Sequence, residues 1–108
     1  MTKITFYKKE KYFTGFEIVG HTGKEARGKD LLCCQLSTVA QLAVVGIQEV
    51  GGYQPFVEIS DGYLKIKVDE KKAKNDKVKF LFDTCYESFR SIIIGEEKYA
   101  KLEVKNDF

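Results

Sequence analysis

The chain is 108 residues long, 44% apolar and 31% charged, with a formal net charge of +2. That length suits a single domain, residues 1–108, with enough core to fold unaided, and eight Phe with six Tyr exclude a disordered chain. The small net charge gives no ground for expecting a nucleic-acid or membrane partner.

Met1 to Lys11 alternates polar and apolar residues without a continuous apolar run, so no secretory signal is expected. Ile4 to Tyr7 is β-rich, and Phe16 and Ile18 follow at strand spacing after a polar turn at Lys8–Lys11. These segments predict a hairpin. Gly20 to Lys29 is rich in glycine and charge, and reads as a loop. Asp30 then suits a helix N-cap. Leu32, Leu36, Val39, Ala40, Ala43, Ile47 and Val50 recur at spacings of three and four, one helix face closed by Gly51-Gly52.

Phe56 to Ile59 predicts a short strand, and Asp61-Gly62 is a hairpin-turn signal. Leu64, Ile66 and Val68 alternate with Lys65 and Lys67, giving one buried and one wet face. Asp69 to Lys77 is charged and reads as a loop. A second helix carries Val78, Leu81, Phe82, Cys85, Phe89 and Ile92, and Gly95 ends it. A last strand puts Leu102 and Val104 inward. The order is ββαββαβ, which predicts an α+β fold: an antiparallel-rich five-stranded sheet with two packed helices. No apolar run approaches the roughly 20 residues that span a bilayer. Three cysteines, two of them adjacent, argue against a disulfide framework and suit a reducing, cytoplasmic setting.

Chemistry concentrates between Gly20 and Ser37. His21 follows a strand, and Cys33 falls in the first turn of a helix. A helix N-terminus favours the thiolate, the reactive form of cysteine. Its amides, those of Cys33 and Cys34 being the natural choice, can receive an oxyanion. His21 is the only histidine, so His-assisted thiol chemistry within one subunit must use it. Ser37 lies four residues on, on the same helical face. Asp30 can orient His21. Blander roles stay open: Cys33 as a small buried hydrophobe, His21 as a loop histidine, Ser37 bonded to a carbonyl, Asp30 only as a cap. Cys34 points about 100° away round the helix and reads as structural; Cys85 reads as core.

Other chemistries fit less well. Adjacent cysteines with one His and a core cysteine do not close a zinc site. Gly23 to Lys29 matches the first part of a phosphate loop, but Asp30 stands where Ser or Thr is needed and would repel phosphate. A thiol redox role lacks the usual two-residue spacer. A non-catalytic ribosome- or RNA-binding module is the alternative from another class, with Lys65 and Lys67 beside Tyr63 as its basis.

Gly20-His21-Thr22-Gly23, then Gly28-Lys29-Asp30-Leu31-Leu32-Cys33, then Ser37, resembles the ribosomal-processing cysteine protease family, Prp. The ββαββαβ order and the Asp61-Gly62-Tyr63 hairpin extend the resemblance over nearly the whole chain. The resemblance implies that Cys33 is the nucleophile and His21 the base. Asp30 and Ser37 would support them, and Gly20 and Gly28 would shape a mobile loop that closes over substrate. It implies removal of an N-terminal extension from protein twenty-seven of the large ribosomal subunit, after a motif rich in apolar and aromatic residues. It also implies a homodimer that needs no cofactor; from the residues themselves, no metal and no required nucleic-acid contact are expected. Cys34-Gln35 departs from the small residues typical of the family after the nucleophile, which bears on fine substrate preference.

Overall fold

Residues 1–26 and 28–107 are described by a computed structural model. Arg27, one of the loop charges noted above, and Phe108 lie outside the described residues.

β1 (Thr2–Lys9) and β2 (Tyr12–Val19) pair antiparallel as the predicted hairpin. Strand alternation sends Ile4, Phe6 and Phe16 to one face, where all three are fully buried. Phe6 and Phe16 stack across the two strands at 4.8 Å between ring centres, an arrangement that adds to area burial. β3 (Phe56–Ser60) and β4 (Tyr63–Lys67) form the second hairpin, with β4 beside β2. Gly62 supplies the turn's positive φ of +68°.

α1 (Leu31–Val45) and α3 (Asp76–Ile93) pack on the same face of the sheet. Leu32, Leu36, Ala40 and Ala43 face Phe82, Cys85 and Phe89 within one core. Two crossovers explain this layering. β2–α1–β3 and the β4–α3–β5 connection run in opposite senses along antiparallel strands, so a common right-handed rule puts both helices on one side.

The α+β class and the five strands stand as expected, in the order β3-β4-β2-β1-β5. Four details differ. β5 (Ala100–Asn106) joins β1 parallel, so the sheet is mixed, although three of its pairs are antiparallel. A strand entered from a helix carries no turn signal to fix its direction. At this edge Val104 takes the inward register opposite Phe6 yet is left exposed. The charged Asp69–Lys77 stretch holds a one-turn helix, α2 (Glu70–Ala73), capped by Asp69 at 2.8 Å from the Lys72 amide. Lastly, α1 runs on through a π-helical turn, Gly46–Val50. That turn rotates less per residue, so Val50 leaves the core face and is 85% exposed.

The combined run Leu31–Val50 has 20 residues and a mean hydropathy of 1.6, enough by length and composition to cross a membrane. Gln35, Ser37, Thr38 and Gln41 interrupt its sequence, and its apolar face packs into the core.

Candidate active site

The site forms where β2 ends, α1 begins and the β3–β4 turn comes close. Gly20 is a fixed corner. Its φ is +91°, and a Cβ there would meet the Met1 carbonyl oxygen at 2.5 Å. Its amide donates to the Gly62 carbonyl at 2.8 Å, and its carbonyl accepts from the Thr2 hydroxyl at 3.2 Å. The two glycines expected to shape a closing loop therefore differ. Gly20 is pinned on both sides, whereas Gly28, at φ +84°, has open space around it.

His21 leaves this corner with its side chain 43% exposed, and its Nε2 lies 3.7 Å from Asp61 Oδ1. Thr22 next to it is buried, and its hydroxyl donates to Asp30 Oδ2. The other oxygen of Asp30 accepts from the Cys33 amide at 3.0 Å, as an N-cap should. The Thr22 hydroxyl, then the Cys33 amide, hold the Asp30 carboxyl below its ordinary range. Asp30 also accepts from the Glu25 amide at 3.4 Å. Its carboxylate thus organises the loop and the helix start, and the carboxylate beside the imidazole is that of Asp61. Asp30 also fills the helix N-terminus that a phosphate would need, which removes the phosphate-loop reading.

Cys33 is half-buried one turn into α1, and Ser37 follows one turn later. Two clefts meet here. One, of about 290 Å³, is lined by Ile18, Ile59 and Tyr63, with Gln41 and Ser60. The other, of about 450 Å³, is lined by Glu25, Gly28, Asp30 and Cys34. His21, Cys33 and Ser37 line both. The first cleft is walled by apolar side chains, and the second carries the carboxylates of Glu25 and Asp30.

One expectation changes. The amides of Cys33 and Cys34 were the natural oxyanion donors, but the first is bonded to the Asp30 side chain and the second to the Asp30 carbonyl, both at 3.0 Å. Capping the helix consumes the donors that an uncapped N-terminus would offer. Cys34 is exposed and lines only the acidic cleft. Cys85 is buried in the core, where burial pushes its thiol up to about 11. Among the described residues no group of three His, Cys, Asp or Glu side chains is placed to hold a metal ion.

Sequence reading missed Asp61 and Gly62 as neighbours of His21, because a hairpin-turn signal says nothing about what the turn touches. It also missed Gln41, although Cys33, Ser37 and Gln41 share a spacing of four that marks one helical face.

The model of the family described as cysteine protease Prp matches residues 1–101. No curated protein matches significantly in sequence. Among solved structures, the essential ribosomal processing protease Prp from S. aureus, in complex with a covalently linked product peptide, superposes with a TM-score of 0.88. The identity is 21%, over 97% of this chain and 100% of that one. A protein from Streptococcus mutans gives 0.86 at 20% identity, over 99% and 96%. A second S. aureus Prp structure, in complex with a substrate peptide, gives 0.81 at 19%, over 97% and 100%. These likenesses carry the fold, and the family model carries the chemistry: the chain belongs to the Prp family of cysteine proteases.

Proposed function

We propose that this protease removes an N-terminal extension from the precursor of a large-subunit ribosomal protein, protein twenty-seven, through a Cys33 acyl-enzyme. The observation that carries the reading is the meeting of two clefts at His21, Cys33 and Ser37, in a chain of the Prp family. A cleft walled by Ile18, Ile59 and Tyr63 suits the apolar and aromatic residues of such an extension.

In this mechanism His21 takes the thiol proton, and the thiolate of Cys33 attacks the scissile carbonyl. His21 then protonates the leaving amine. Water, deprotonated by His21, hydrolyses the thioester and frees the thiol. Asp30 holds the first turn of α1, and so Cys33, in place. Ser37 offers a hydroxyl next to the reacting centre, a donor not consumed by the helix cap. The reaction needs no metal or other cofactor. The protein acts in the cytoplasm as a homodimer, without direct nucleic-acid contact.

The test is cleavage of a synthetic peptide spanning the extension, read by mass spectrometry for wild type, Cys33→Ala and Cys34→Ala. Wild type and Cys34→Ala cleave, while Cys33→Ala loses at least about a thousandfold in rate. Loss in Cys34→Ala alone would move the nucleophile by one residue. A folded, reduced wild type that leaves the peptide intact would sink the substrate assignment.

A further inference from the structure

We infer that Asp61, on the β3–β4 turn, is the positioning residue for the imidazole of His21, acting together with the backbone of Gly62. The inference rests on the proposed role of His21 as the base.

Three contacts converge on that ring and the chain that carries it. Asp61 Oδ1 lies 3.7 Å from His21 Nε2. A Cβ added at Gly62 would stand 3.0 Å from the same nitrogen, so any side chain at this turn position would crowd the ring edge. The Gly62 carbonyl accepts from the Gly20 amide at 2.8 Å, which ties the turn to the residue preceding His21. Tyr63, next along, pairs with Val19 at the end of β2. The turn is therefore registered to the His21 segment through the sheet itself.

Chemistry gives this arrangement a purpose. An imidazole that serves as base must present one nitrogen to the thiol, and a carboxylate on the other nitrogen fixes which one is free. Nε2 is turned toward the Asp61 carboxylate at 3.7 Å, close enough to orient the ring electrostatically, and Nδ1 is the nitrogen left for Cys33. Asp30, which the sequence suggested as the orienting acid, bonds instead to the Thr22 hydroxyl and the Glu25 and Cys33 amides. Asp61 touches neither substrate nor sulfur in this account. It acts through His21, and its effect falls on kcat. Because both side chains are substantially exposed, the effect is moderate.

The experiment compares wild type, Asp61→Ala, Asp61→Glu and Gly62→Ala by two readouts. The first is kcat and KM on the extension peptide. The second needs no substrate: the rate of iodoacetamide alkylation at Cys33, resolved by peptide fragmentation, with exposed Cys34 in the same molecule as the internal control. Asp61→Ala is expected to lower kcat roughly three- to tenfold with KM within about twofold. It slows Cys33 alkylation to a similar degree and leaves Cys34 unchanged. Asp61→Glu restores part of both losses, and Gly62→Ala, which crowds the ring, reproduces them. If Asp61→Ala alkylates Cys33 at the wild-type rate, the inference is overturned. If Cys33 alkylation depends on Asp61 while wild type leaves the peptide intact, positioning stands and the substrate reading falls instead.

Discussion

The three cysteines occupy three environments, and their reactivity should divide accordingly. Cys34 is exposed, Cys33 is half-buried at the cleft junction, and Cys85 lies in the core with its thiol pushed up to about 11 by burial. A thiol that is both protonated and inaccessible does not alkylate. Iodoacetamide at pH 8 is therefore expected to modify Cys33 and Cys34 in the native protein and to reach Cys85 only after denaturation. Mass mapping checks this, and native modification of Cys85 would contradict the packing of α3. Asp30 makes a second residue-scale prediction. Its folded-state carboxyl lies below the unfolded value of about 3.9. Its stabilising effect is therefore fully present above that value and is lost as pH falls through the lower, folded one. Asp30→Ala should melt several degrees below wild type at pH 7, and thermal scans from pH 7 to pH 2 should show the gap shrinking below about pH 4. Asp30 was readable as a cap because capping is a local event. Asp61 was not readable as a neighbour of His21, since their meeting depends on sheet register across forty residues.

At the scale of elements, the face of the sheet away from the helices is held by a polar cluster. The Tyr7 hydroxyl donates to Glu17 at 2.8 Å, and the Tyr63 hydroxyl donates to the same carboxylate at 3.3 Å, joining β1, β2 and β4. Burial, then the bond to Glu17, pushes the Tyr7 hydroxyl up to about 12. A neutral group whose folded value is raised stabilises fully below its unfolded value, near 10, and loses that contribution as pH rises through about 12. Titration at 295 nm should show one tyrosine ionising about two units late. Tyr7→Phe should remove that late phase and reduce the alkaline destabilisation between pH 10 and pH 12. The strands in this cluster were legible because each buries one face, and alternation records that directly. So were α1 and α3, whose buried stripes recur every three or four residues. What stayed hidden depends on partners rather than on period. The parallel docking of β5 follows from a crossover, α2 is a single turn inside a run of charge, and Val50 is displaced by a π-turn that no periodicity announces.

For the whole molecule, the two surfaces differ in kind, and that difference bears on partners. The open sheet face mixes charges of both signs: Lys67 pairs with Asp107 at 2.7 Å, and Lys3 and Lys105 flank Glu103. Lys65 and Lys67 lie over the Tyr7 ring, each at 5.5 Å. These lysines thus have partners on the sheet face itself. The helix layer carries an apolar patch beside the exposed ion pairs of α3, Lys79–Asp83 and Arg90–Glu87. Leu42, Val45, Val50 and Phe80 are each more than half exposed, around a groove of about 620 Å³ between α1 and α3. An exposed apolar patch is a candidate contact surface, and if the protein is the homodimer proposed above, a second copy is expected to cover it. Phe80, 75% exposed, is the residue to change, because charge there costs the core nothing. Phe80→Asp is expected to shift the protein from dimer to monomer in size-exclusion chromatography with light scattering. Its melting temperature should fall only by what the lost association contributed, and should cease to depend on protein concentration. A wild type that runs as a monomer at tens of micromolar would remove the homodimer from the reading. A Phe80→Asp variant that stays dimeric would keep the dimer but move its interface off the helix layer, leaving the groove without an occupant.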